Sequence, residues 1–188
     1  FNITIREVKQ MANGLMNKLV WIDLNTKNVE IKENFTEMVK HYLGGMGLGT
    51  KIIYEKAKEY EAKGMNLAEF DALSPENIFY IGTGPGTGVT GFPSGGRHHI
   101  MTLKSPMTGS IGSANSGGKF GAYMKKAGID AIVVEGKADK PVYFTVFDGK
   151  VEIHDAEQVW GKNVFDTDEM LQQKHQDVGF KFSVACIG

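Results

Sequence analysis

Half of the glycines in this 188-residue chain, 12 of 24, fall in the 40 residues from Gly82 to Gly121. Each glycine inside a helix or strand costs roughly 0.5–1 kcal/mol relative to alanine. The middle of the chain is therefore built from turns and short strands rather than long helices. The same region lacks acids: the 53 residues between Glu76 and Asp130 hold neither Asp nor Glu. At the chain's average of 22 acids in 188 residues, about six belong there. Arg97, Lys104, Lys119, Lys125 and Lys126 lie in the window, with His98 and His99. Glycines let the backbone approach a ligand and turn peptide N–H groups toward it. Clearing carboxylates from such a surface removes like-charge repulsion of a bound anion. A few backbone donors and one guanidinium, at about 1.5–3 kcal/mol per charged hydrogen bond, would hold a phosphate. The bland reading is that tight turns simply use glycine; the missing acids favour the anion.

The bias is local. The whole chain balances 21 Lys and Arg against 22 Asp and Glu, a net charge of −1. This excludes a general nucleic-acid binder, which needs a basic excess, and favours a small phosphate-bearing molecule. No apolar run approaches the roughly 18 residues of a membrane span, and no signal peptide opens the chain. A single cysteine, Cys186, excludes an internal disulfide framework and cannot alone hold an iron–sulfur cluster. The expectation is a cytoplasmic globular chain. The start at Phe1 and the apolar run 182–187 before Gly188 suggest part of something larger, with Met11 as a natural start.

Local patterns give an α+β chain without a fixed repeat. Residues 18–24 and 29–32 read as a hairpin around Asn25-Thr26-Lys27-Asn28. Thr36 is placed to cap a helix that Gly44-Gly45 ends, and a second, wet helix covers Ile52 to Ala62. Residues 78–81 read as a buried strand, 99–103 as another, 109–121 as a second glycine-rich turn, 122–127 as a short helix and 131–135 as a strand. Asp148-Gly149 joins 141–147 to 151–153 in the clearest hairpin, and a last helix covers Phe165 to His175.

Two motifs fail on context. Gly86-Thr87-Gly88-Val89-Thr90-Gly91 fits a dinucleotide fingerprint, but a turn and a strand follow it where a helix is required. Gly44 to Lys51 is a near miss for a phosphate loop and reads as a helix stop with a backbone-packing turn. His98 and His99 point to opposite faces of a strand, so one metal cannot take both. Trp21 and Trp160 read as core anchors, and Cys186 as a buried thiol.

Several signatures occur in order: Leu73-Ser74-Pro75-Glu76-Asn77, Gly82-Thr83-Gly84-Pro85, Ser94-Gly95-Gly96-Arg97, Lys104-Ser105-Pro106-Met107-Thr108-Gly109, Ala114-Asn115-Ser116-Gly117-Gly118 and residues 127–138. With Trp160-Gly161-Lys162 and the terminal Ala185-Cys186-Ile187-Gly188, this series resembles the N-terminal domain of the tungsten-dependent aldehyde ferredoxin oxidoreductase family. The likeness spans residues 13–188, with 1–12 as an N-terminal extension and the domain truncated at its C-terminal end. It implies a β-rich domain of two sheets with short helices, the base that supports two pyranopterin dithiolenes on tungsten or molybdenum. By match of motif, Arg97 would pair with a pterin phosphate. Asn115 would lend its backbone carbonyl to a magnesium ion bridging the phosphates, and Gly117 would lie against the pterin. The completed enzyme would oxidise aldehydes to carboxylates and pass electrons through a 4Fe–4S cluster to ferredoxin, as a possible homo-oligomer.

Two departures stand out. The stretch from Lys56 to Ala72 is longer than the family's usual link, which implies a surface insertion. The cluster cysteines, a second phosphate turn and the catalytic acid–base residues belong beyond Gly188, so no catalytic residue is assigned here and the fragment alone is expected to be inactive. Two other readings stay open: a nucleotide-binding enzyme domain using the turn at Gly86 to Gly91, and a non-catalytic β-rich binding module.

Overall fold

The computed structural model describes residues 14–33, 36–91, 93, 95–179 and 182–187. The expected N-terminal extension, including Met11, lies outside the described residues. A six-stranded mixed sheet forms the centre, in the order β2-β1-β6-β3-β4-β5, and a two-stranded sheet β7-β8 packs beside it. The strands are β1 Lys18–Asp23, β2 Asn28–Glu33, β3 Phe79–Gly82, β4 His98–Thr102, β5 Gly112–Ser116, β6 Ala131–Glu135, β7 Val142–Phe147 and β8 Lys150–Asp155. The helices are α1 Thr36–Tyr42, α2 Gly45–Ala62, α3 Phe120–Lys126 and α4 Val164–Lys174. This is the expected α+β architecture of two sheets. Both hairpins stand where turn chemistry placed them, with Asp148 and Gly149 at φ 50° and 75°, the left-handed pair that a tight hairpin demands.

Alternation along the strands sorts the core into two halves. Leu19, Tyr80, Met101, Ala131 and Val133 face α2 and pack with Leu48, Ile52 and Ile53. Val20, Ile22, Ile81 and Ile132 face the other way and meet Met124 of α3 and the inner face of the β7–β8 hairpin. Hairpin residues on the outer face, Tyr143 and His154, meet His175 just after α4. Asn163 caps α4 by accepting from the Asp166 N–H at 2.9 Å.

Signature residue Asn77 serves the frame. Its Nδ2 donates to the carbonyls of Ala72 and Lys104 at 2.6 and 2.8 Å, and its Oδ1 accepts from Thr102 Oγ1 and Lys104 N at 2.8 and 3.0 Å. One amide thus ties the segment before β3 to the end of β4. The stretch after α2, expected as a surface insertion, places Met65, Leu67 and Phe70 against the core.

Several expectations need correction. The second helix starts at Gly45, not Ile52, so Gly44-Gly45 ends α1 as expected but also opens α2, and Gly44 to Lys51 is no turn. Its glycines mark close packing: a methyl on Gly49 would lie 2.6 Å from the Tyr80 ring and 2.7 Å from the Met101 sulfur. At 18 residues α2 is also not a short helix. Thr36 opens α1 in the backbone, but its side chain lies outside the described residues, so the expected cap is not described. The second glycine-rich turn contains β5, which β4 holds by supplying ladder hydrogen bonds that its own composition does not advertise. Residues 182–187 form no strand and Cys186 is exposed, because no described strand pairs with them. Trp160 is 68% exposed, since the turn after Ala156 carries it off the core; Trp21, by contrast, packs on the core and donates from Nε1 to Glu135 Oε1 at 2.8 Å.

Candidate functional site

The candidate site forms where β3 turns back into β4 and where β5 runs into α3. The Gly86 to Gly91 turn leads back into β4, antiparallel to β3, and among the described residues no helix follows it, which agrees with rejecting a dinucleotide fingerprint. Thr87 fixes this loop from inside. It is 7% exposed, and its Oγ1 donates to the Arg97 carbonyl at 3.0 Å while accepting from Gly84 N at 3.3 Å. Gly88 N donates to Gly95 O at 2.7 Å. Across the groove, Gly96 and Gly121 let the two turns touch: a methyl on Gly96 would sit 2.0 Å from the Gly118 carbonyl, and one on Gly121 2.8 Å from the Gly96 carbonyl. Gly118 itself takes φ 84°. No signal local to either turn shows that they meet.

Arg97 and Asn115 come together at this junction. The Nη1 of Arg97 donates to Asn115 Oδ1 at 2.7 Å, across 18 residues of sequence. Both side chains are exposed. Among the described residues no carboxylate pairs with Arg97. Gly117 is exposed too, with nothing within 4 Å of where its methyl would be. Asn115 lies on β5, the edge strand of the sheet, where alternate main-chain carbonyls face away from the ladder.

His98 and His99 do part to opposite sides. His98 is buried, packs its ring on Phe120 at 5.1 Å and leaves Nδ1 without a partner among the described residues. His99 lies on the same side as Asn115: its Nε2 is 2.9 Å from Ser113 Oγ and its Nδ1 3.4 Å from Asn115 Nδ2. Burial pushes both imidazoles below the ordinary histidine value. Ser113 and Thr87 are participants that sequence reasoning did not single out; for Ser113 the register of β4 against β5 is the missing signal.

Three lysines of the acid-free window are engaged elsewhere. Lys104 Nζ donates to the carbonyls of Ala68 and Phe70 at 2.7 and 2.8 Å. Lys125 is buried against Asp130, and its Nζ also donates to Gly14 O at 2.8 Å. Burial pushes the Lys125 ammonium below its ordinary value, with the Asp130 carboxylate opposing. Lys126 lies over the Tyr123 ring. Arg97 and Lys119, which directly precedes α3, are left on the rim. Lys119 also lines a groove of about 610 Å³ with Tyr123, Phe165 and Phe182. Among the described residues no group of three or more His, Cys, Asp or Glu is placed to hold a metal ion, and no helix is long and apolar enough to cross a membrane.

The sequence model for the aldehyde ferredoxin oxidoreductase N-terminal domain matches residues 19–188. The chain belongs to the aldehyde ferredoxin oxidoreductase family. A tungsten-containing aldehyde ferredoxin oxidoreductase of Pyrococcus furiosus is 44% identical over 176 residues, which cover 93% of this chain. The corresponding protein of Thermococcus kodakarensis is 43% identical over the same share. An aliphatic sulfonate oxidoreductase, WOR-like subunit, of Pyrococcus furiosus is 33% identical over 86% of the chain. Among solved structures, the active site complex BamBC of benzoyl coenzyme A reductase, in complex with 1,5-dienoyl-CoA, superposes with a TM-score of 0.75 at 26% identity, over 87% of this chain and 23% of that one. The chain spans only 27% of the length of the aldehyde ferredoxin oxidoreductases it matches. It corresponds to the N-terminal domain of these family enzymes.

Proposed function

We propose that this domain seats the phosphate end of a bis-pyranopterin cofactor carrying tungsten or molybdenum, in an enzyme that oxidises aldehydes to carboxylates. One observation carries the reading: an exposed guanidinium, held by Asn115 and free of any described carboxylate, at the meeting of two glycine turns in an acid-free segment. These residues fit a phosphorylated cofactor. Arg97 binds a phosphate through the N–H groups that Asn115 leaves over. Asn115 would offer a main-chain carbonyl of an edge strand to a magnesium ion at the phosphate end, and Gly117 would offer the pterin a surface without a side chain. When bound, the metal dithiolene supplies the two-electron oxidation, taking an aldehyde and water to a carboxylate with release of protons. This chain orients that group and keeps negative charge away from it. The 4Fe–4S cluster, the acid–base residues and the contact with ferredoxin belong to the remaining domains, and the assembled enzyme, alone or as a homo-oligomer, works in the cytoplasm. The higher identity to aldehyde than to sulfonate oxidoreductases supports an aldehyde as substrate.

The test is metal analysis of the full-length protein from a host that makes the cofactor. Tungsten or molybdenum is expected with the wild type. Arg97→Ala should cut metal content about tenfold or more, the loss of one charged hydrogen bond or two. A metal-free wild type, or an Arg97→Ala variant with full loading, would refute the assignment.

A further inference from the structure

We propose that His99, backed by Ser113, is a positioning residue that sets the Arg97 guanidinium for a phosphate by fixing which way the Asn115 amide faces. The proposal rests on the phosphate reading above and adds two residues to it.

The register places the parts. His99 stands directly opposite Asn115 in the β4–β5 pair, and Met101 stands opposite Ser113. Ser113 is thus the diagonal neighbour of His99 on one face, and Arg97, two residues before His99, enters from the same side. Donor and acceptor logic then orders the chain. A guanidinium only donates, so the Asn115 amide meets Arg97 through Oδ1, at 2.7 Å. Its Nδ2 must then point away and needs an acceptor, and His99 Nδ1 lies there at 3.4 Å. An accepting Nδ1 places the ring proton on Nε2, which donates to Ser113 Oγ at 2.9 Å. Reversing the amide would aim an NH2 group at a guanidinium and an oxygen at a lone pair, so both neighbours oppose it.

The consequence is preorganisation. Arg97 is exposed, and a free arginine side chain samples many rotamers. One directed bond to a fixed amide reduces that freedom before a ligand arrives, which improves affinity without adding a contact to the ligand. Asn115 and Ser113 are exposed, so the relay adds little to folding stability. Binding and stability therefore report separately.

The test uses the full-length protein prepared without cofactor, titrated calorimetrically with inorganic pyrophosphate. Wild type binds, and Arg97→Ala loses most of the affinity. His99→Leu should weaken binding about threefold to tenfold through lost preorganisation, with an unchanged melting temperature. His99→Asn, which keeps an acceptor near the Nδ1 position, should recover most of that loss. If His99→Leu does not fold, Ser113→Ala takes its place, with an expected loss of about twofold from a ring no longer held. Wild-type affinity in His99→Leu or, in its place, Ser113→Ala, together with a weak Arg97→Ala, would overturn the relay and leave the phosphate reading standing. Failure of His99→Asn to rescue would overturn the acceptor role. Equal binding by wild type and Arg97→Ala, or no binding by either, would remove the phosphate reading and the relay with it.

Discussion

Lys125 and Asp130 neutralise each other inside the protein, with exposures of 2% and 1%. The Asp130 carboxylate also accepts from Met16 N at 3.1 and 3.0 Å and from Lys18 N at 3.3 Å, while its main-chain carbonyl accepts from Thr83 N and Oγ1, each at 2.9 Å. One residue pair thus joins the segment before β1, the end of α3 and the end of β3. Removing one member of a buried pair strands a charge, at a cost of about 3–5 kcal/mol. Lys125→Met should lower stability by that amount in chemical denaturation, whereas breaking the exposed Lys40–Glu37 pair should leave the midpoint unchanged.

Glycines near the site divide into two kinds, and alanine substitutions should separate them. At Gly96 a methyl meets the Gly118 carbonyl, so Gly96→Ala forces the two turns apart and should cost about 1–3 kcal/mol. At Gly117 the space is open, so Gly117→Ala should unfold with the wild type. If the pterin lies against Gly117, the same substitution lowers metal content in the full-length protein. Thermal unfolding alongside metal analysis distinguishes the two effects.

Asn77 fills all four of its side-chain hydrogen bonds. Asn77→Asp keeps the shape but turns two donors into acceptors facing the carbonyls of Ala72 and Lys104. It should destabilise more than a simple deletion, by about 2–4 kcal/mol where a typical unmade buried bond costs about 1–3 kcal/mol. Urea midpoints of Asn77→Asp and Asn77→Ala provide the comparison.

His154 should give the stability profile an acid limb. Burial, followed by the neighbouring His175, pushes its imidazole below the ordinary value, with Lys174 acting the same way and Glu152 opposing. The folded state therefore holds fewer protons than the unfolded chain, whose histidine titrates near about pH 6.5. Stability from this group is complete above that pH and lost as pH falls through the lowered folded value. Melting temperatures between pH 7.5 and pH 5 should fall more steeply in the wild type than in His154→Phe, which keeps the ring stack on Tyr143.

Chemistry confined to a few neighbouring residues was legible in the sequence. Asp148-Gly149 specifies its own hairpin, because left-handed φ values at both positions suit those residue types. The missing acids between Glu76 and Asp130 are a property of composition, and among the described residues Arg97 has no carboxylate partner. Tertiary structure decided the rest, because it brings distant residues together. Gly49 lies in a helix, against propensity, since only a bare backbone fits over the Tyr80 ring. Five weak strand formers become β5 because β4 supplies their hydrogen bonds. Lys125 counts as free charge in the sequence but is spent on Asp130 in the fold, while Trp160 faces solvent because the turn after Ala156 carries it away from the core. The meeting of Arg97 with Asn115, and of Asn115 with His99, exists only once two strands pair in one particular register.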